Sequence, residues 1–127
     1  MALTNAGKYF IAQAVTNHSS PTFFDNAHAY IGVGSSNAAF NAADVDLRAL
    51  TEKLRKGMVA NYPTQVSNTM TFRSSFGSSE ANFEWAEWGV FNAVSGGTML
   101  LRKVEALGTK ANGQTWQLEV AITIDLA

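Results

Sequence analysis

The stretch EANFEWAEWGVFNAVSGGTMLL, from Glu80 to Leu101, decides the fold. It crowds Phe83, Trp85, Trp88 and Phe91 together with Glu80, Glu84 and Glu87 around one Glu-Trp-Gly-Val-Phe step. Aromatic density with a central glycine favours a strand over a helix. Ser95-Gly96-Gly97 is a turn signal, and Thr98 opens a second apolar run. The reading is an antiparallel hairpin, strands 83–92 and 98–107, at the centre of a β-rich domain.

Downstream, 116–126 alternates without a break. Trp116, Leu118, Val120, Ile122, Ile124 and Leu126 share one face, and Gln117, Glu119, Ala121, Thr123 and Asp125 share the other. Strict period two predicts a half-buried strand. Upstream, 68–76 sends Met70, Phe72 and Phe76 one way and Thr69, Thr71, Arg73 and Ser75 the other. Shorter strands are expected over 28–33 and 54–60, the latter interrupted at Tyr62-Pro63 because proline lacks the ladder donor.

Near the start, Thr4 or Asn5 caps a helix over about 4–15. Phe10 with Ala14, and Ile11 with Val15, give it an apolar face. Gly7 weakens this helix but allows another backbone to come close. The expected fold is mainly β: an antiparallel β-sandwich or open barrel with one N-terminal α-helix, in a single domain over 1–127.

Composition narrows the function classes. Charged residues are only 15% and hydrophobic residues 46%, which argues against disorder. The surface left over is rich in Ser, Thr, Asn and Ala, where subunits can meet with little desolvation. A net charge of -1 and the absence of a basic stripe predict no nucleic-acid partner. Lys53, Arg55 and Lys56 read as solvated charges on a strand edge. With no cysteine, disulfides, Cys zinc sites and Cys nucleophiles are excluded. No run reaches the roughly 20 apolar residues of a membrane span. The first fifteen residues read as a structural helix and not a signal peptide, so the expectation is a protein that stays in the cytoplasm that makes it.

Chemistry-bearing patterns are sparse. On a strand, Glu87 falls on the parity of Phe83, Trp85 and Phe91, a carboxylate on a largely apolar face. Such a group needs a partner, for which Arg73 or Arg102 or backbone N–H groups are the candidates. His18 and His28 belong to no ligand pattern. Gly32-Val33-Gly34 lacks the third glycine of a dinucleotide loop. No catalytic residue, cofactor or metal is expected. Trp88 lies opposite Trp85 on this parity. It is an interface or glycan anchor, or a core residue if the sheet is covered on both faces. Phe10 on the helix and Phe40 in the loop 34–43 are the other interface candidates.

The order of elements also resembles a known group. The carriers are Leu3-Thr4-Asn5-Ala6-Gly7-Lys8, Ala29-Tyr30-Ile31-Gly32-Val33-Gly34, Asp46-Leu47, Thr71-Phe72-Arg73, Glu80-Ala81-Asn82-Phe83, Glu87-Trp88-Gly89-Val90-Phe91-Asn92-Ala93 and Gly97-Thr98-Met99-Leu100. Together these resemble small virion structural proteins of tailed bacteriophages, most of all the collar-proximal or N-terminal domains of tail-fibre and baseplate-associated proteins. No shaft or receptor-binding tip follows Leu126, so the resemblance implies an attachment-type domain or a free-standing virion protein. It implies a non-enzymatic homo-oligomer that docks on other virion proteins, assembled in the host cytoplasm and resident in the virion. A capsid decoration protein and a carbohydrate-binding module that takes a surface glycan are the alternatives.

Overall fold

Period two in the sequence becomes two antiparallel sheets. The computed structural model describes residues 2–125. In chain order its elements are β1 (Ala2–Leu3), α1 (Asn5–Thr16), β2 (Tyr30–Gly34), β3 (Lys53–Gly57), β4 (Thr64–Val66), β5 (Thr69–Phe76), β6 (Glu84–Phe91), β7 (Met99–Thr109) and β8 (Trp116–Thr123). One sheet has the order β1-β7-β6-β2-β3 and the other β4-β5-β8. The fold is mainly β, with one short N-terminal helix and a sandwich-like stack of sheets that does not close into a barrel.

The space between the sheets holds the core. Phe72 and Phe76 from β5 and Val120 and Ile122 from β8 meet Ile31 and Val33 from β2, Trp88 and Val90 from β6, and Leu101 from β7. Trp85 adds edge-to-face contacts to Phe76 and Trp116, with ring centroids 4.9 and 5.0 Å apart. β5 and β8 pair over eight residues without a register break, from Thr69 opposite Thr123 to Phe76 opposite Trp116.

The 80–101 hairpin forms as β6 and β7, with β6 central in its sheet. Its parity differs from the simple alternation. A register shift falls between Trp85 and Glu87. Trp85, Trp88 and Val90 therefore all join the core between the sheets, while Phe91 packs on the other side with Leu47 and Met99. Grouping Glu87 with Trp85 was the error of reading a strand without its irregularity.

Thr4 caps α1: its Oγ1 accepts from the Gly7 N–H at 2.9 Å and donates to the Met99 carbonyl at 2.5 Å. Gly7 meets the Leu100 backbone so closely that a Cβ there would overlap the carbonyl. Asn17, in the left-handed region at φ 50, ends the helix. Val15, expected on the apolar face, is exposed.

Other bounds differ for local reasons. The strand expected over 54–60 stops at Gly57, because Val59 donates to the Arg73 carbonyl at 3.0 Å and takes the chain towards the smaller sheet. The strand expected from 28 starts at Tyr30, because His28 and Ala29 both turn back onto the Asp25 carbonyl. β8 ends at Thr123, where Ile124 donates to the Asn68 carbonyl at 2.9 Å. Leu126, expected as the last residue of that strand, lies outside the described residues. β1 and β4 are too short to leave a period in the sequence.

Candidate functional site

The outer face of the five-stranded sheet carries the least ordinary chemistry. Register places Arg55, Gly32, Gly89 and Arg102 in one row across β3, β2, β6 and β7. The next row sets Lys53, Gly34, Glu87 and Val104 side by side. The glycines make room for their neighbours. A Cβ at Gly32 would lie 2.7 Å from the Phe91 ring, and one at Gly34 would overlap the Glu87 carboxylate. The Gly-Val-Gly segment thus has a packing reason, not a nucleotide one.

Glu87 and Arg102 are 0% and 1% exposed. Glu87 Oε1 accepts from Arg102 Nε at 2.7 Å and from the Arg48 N–H at 2.8 Å, and Oε2 accepts from the Ala49 N–H at 2.8 Å. Arg102 also reaches Asp44 Oδ2 at 3.3 Å and the Ala38 carbonyl at 2.9 Å. Asp44 is buried, accepts from Arg48 Nε at 2.7 Å and from the Asn41 N–H at 3.1 Å. A buried ion pair offsets its desolvation only when geometry is good and the remaining donors and acceptors are satisfied. Both conditions hold: among the described residues every buried side-chain nitrogen and oxygen has a partner.

Burial pushes the Asp44 carboxyl up. The Asn41 N–H and the Arg48 guanidinium, with the charges of Arg48 and Arg102, outweigh it and hold the group below the usual carboxylate range. Asp46 follows the same logic. Burial raises it, and the Leu47 N–H, Lys53 and Arg55 lower it further. Arg55 caps this second cluster: its guanidinium lies 3.6 Å over the Phe91 ring and donates to the Ala93 and Gly96 carbonyls at 2.8 and 2.9 Å.

The consequence is mechanical. Residues 35–52 contain turns and bends but no helix or strand, yet they are fastened at Ala38, Asn41, Asp44, Arg48 and Ala49 to the sheet or to each other. Each charge is engaged, so the cluster locks a loop instead of presenting a base or nucleophile. A second feature is an open apolar hollow of about 270 Å³ under α1, lined by Phe10, Ile11, Phe24, Met70, Phe72 and Leu100 among others.

Of the two arginines offered to Glu87, Arg102 reaches it. Arg73 lies on the outer face of the smaller sheet, paired with Glu119 and 4.2 Å over the Tyr62 ring. Phe10 and Trp88, proposed as interface residues, turn inward. Phe10 packs edge-on against Phe24 at 4.8 Å. Trp88 is 3% exposed and donates to Glu105 at 2.9 Å, because it faces the smaller sheet in the core between the two. Phe40 is half-buried in the locked loop. Arg55 is not solvated as expected, whereas Lys53 and Lys56 sit partly exposed against Asp46 and Glu80. Glu80 is held below its ordinary value by Lys56 and by the Gly77 N–H.

His28 contacts Asp25 at 2.6 Å on the surface, and His18 is exposed. Lys110 is buried and donates to the Gly77 carbonyl at 2.6 Å and to Asn82 at 2.7 Å, which fastens the turn before β6. Among the described residues no three His, Cys, Asp or Glu side chains group in a way that could hold a metal, and no helix is long and apolar enough to cross a membrane. Asp44 and Arg48 escaped the sequence reading as members of a cluster, and Arg55 was expected in solvent. The signal was present in part: Arg102 interrupts the apolar run Met99-Leu100-Leu101, and Asp44 precedes Arg48 by four. No protein-family model and no curated protein matches the chain.

Proposed function

We propose that the protein is a non-enzymatic structural protein of a tailed-bacteriophage virion, in the tail, baseplate or fibre-attachment region. It works as a symmetric homo-oligomer that docks on other virion proteins, and it is assembled in the host cytoplasm. The resemblance of Glu80–Leu101 and its neighbours to such proteins sets the class. The supporting observation in the structure is the locked loop. It holds Val45 and Leu50 in water at 68% and 92% exposure while its backbone is tied to a buried ion pair. Apolar side chains on a pre-ordered segment lose little conformational entropy on docking, which favours a binding role over a catalytic one. The glycan-binding alternative leaned on an exposed Trp88, which the fold does not provide.

The test is the composition of purified particles. Mass spectrometry and tagged-protein labelling are expected to find the chain at fixed copy number on the tail. Labelling of the capsid shell would replace this assignment with capsid decoration, and absence from the particle would overturn both. Leu50→Asp is expected to cut incorporation more than about tenfold, as a hot-spot loss near 1.4 kcal/mol or more implies, without moving the unfolding midpoint.

A further inference from the structure

We infer that the free edge of β8 pairs with β8 of a second copy of this chain, antiparallel across a two-fold axis at Ala121. The inference names the surface for the symmetric oligomer proposed above and rests on that reading for its biological use. Its physical grounds are separate.

Sheet ends are exposed hydrogen-bonding templates that proteins usually blunt. Four strands end the sheets here. β1 has two residues and β4 three, too short to template a partner. β3 carries Lys53, Arg55 and Lys56 in five residues. Beyond its pairing with β1, β7 also lacks an outer neighbour, but it is broken by the register shift opposite Trp85–Glu87 and carries Lys103, Glu105 and a left-handed Gly108. β8 is the least defended: its one charged residue, Glu119, is paired with Arg73 of β5. Its sequence WQLEVAIT has no proline, glycine or basic residue, and it runs eight residues in unbroken register with β5.

The orientation of its backbone fits. Ile124 donates to Asn68 on the β5 side. In an antiparallel ladder successive residues alternate sides, so Ile122, Val120 and Leu118 also bond β5. Gln117, Glu119, Ala121 and Thr123 then present N–H and C=O to the free edge. Among the described residues no backbone group bonds to them there.

Charge excludes two of the registers open to such a pair. An axis at Glu119 would set two carboxylates opposite each other, and an axis at Ile122 would set Glu119 opposite Asp125. Like charges directly opposite destabilise a pair. The axis at Ala121 sets Glu119 opposite the Thr123 hydroxyl, Val120 opposite Ile122 and Leu118 opposite Ile124. Inner-face residues meet inner-face residues, and Ile124, 46% exposed in the single chain, gains an apolar neighbour. The product is one continuous sheet β4-β5-β8 joined to its own symmetry mate, with an isologous interface.

Light scattering at high micromolar concentration is expected to give twice the chain mass of 13.7 kDa. Ala121→Pro removes one outward donor and no β5 bond, so it is expected to give the single-chain mass with an unchanged circular-dichroism spectrum. Ala121→Cys provides a check that does not depend on tolerance of proline. The chain has no other cysteine, and hydrogen-bonded antiparallel partners lie about 5.5 Å apart at Cα, within disulfide reach. Mild oxidation is expected to convert most of it to a covalent dimer. A single-chain mass for the wild type at every concentration would overturn the pairing while leaving incorporation into particles to stand alone. A dimer that persists in Ala121→Pro and resists cross-linking in Ala121→Cys would overturn this edge. A β8 dimer absent from particles would remove the virion reading and leave the pairing intact.

Discussion

The five-stranded sheet wears two different covers. On its inner face the smaller sheet presses Phe72, Phe76, Val120 and Ile122 against Ile31, Val33, Trp88 and Val90. That contact is apolar and non-directional, and it tolerates small changes of shape. On its outer face a segment without regular structure is held by directed bonds from Glu87, Arg102 and Asp44. Alternation lets β6 serve both covers, since neighbouring residues face opposite ways. The difference teaches where the fold is brittle. Apolar area is lost in small increments, whereas removal of one member of a buried charge cluster strands the rest.

The sharpest way to break this comparison is Glu87→Ala. It leaves the Arg102 guanidinium buried without its carboxylate and orphans the Arg48 and Ala49 N–H groups. The expected loss is about 3–5 kcal/mol, read as a fall in the urea midpoint. Ile122→Val on the inner face is expected to cost only about 0.5–1.5 kcal/mol. Equal costs would dissolve the distinction between the covers. Gly34→Ala comes next. Its methyl group would press on the Glu87 carboxylate, and overpacking of this kind costs about 1–3 kcal/mol. Because the strand itself stays compatible with alanine, the loss is expected to appear together with faster hydrogen exchange at the Arg48 and Ala49 amides. An undisturbed exchange pattern would mean that Gly34 does not support the loop lock.

How much of this was legible depends on which cover is considered. β5 and β8 showed themselves through unbroken period two, because each has one wet face and one dry face. The hairpin of β6 and β7 also announced itself through its aromatics and its Gly-Gly turn. β6 concealed its parity, because nearly every position is buried and a register shift sits beside Trp85. The sequence left Glu87 a choice between Arg73 and Arg102, which a one-dimensional pattern cannot resolve. The loop partners, Asp44, Arg48 and the backbone of Ala49, stand 58, 39 and 38 residues from the sheet side chains they bond and leave no periodic trace. Irregular segments gain their order from tertiary bonds, so their roles are read last.

Acid probes the outer cover at a smaller scale. Asp44 and Asp46 are held below the usual carboxylate range in the fold, while an unfolded Asp titrates near about 3.9. Between those values the unfolded chain binds more protons, so stability rises with pH there. Their contribution is complete above about pH 4–5 and is lost as pH falls through the folded values. The unfolding midpoint is therefore expected to drop on acidification below about pH 4. Asp44→Asn is expected to flatten that drop while lowering the midpoint at neutral pH. Parallel pH profiles for the two proteins would show that the cluster does not hold the charge of Asp44.

The smallest effect belongs to Arg73 and Glu119, an ion pair that shares residue types with Arg102 and Glu87 but lies on the outer face of the smaller sheet. Both partners are partly exposed, at 30% and 45% of their side-chain area. Water and salt screen such a pair, and its coupling is expected to be about 0–1 kcal/mol in a double-mutant cycle with alanine. Added salt should shrink it further. Arg73 also stacks on Tyr62, so Arg73→Ala alone should cost more than Glu119→Ala, the surplus persisting at high salt because stacking is less screened than the ion pair. A coupling as large as the loss at Glu87 would show that exposure does not separate the two pairs.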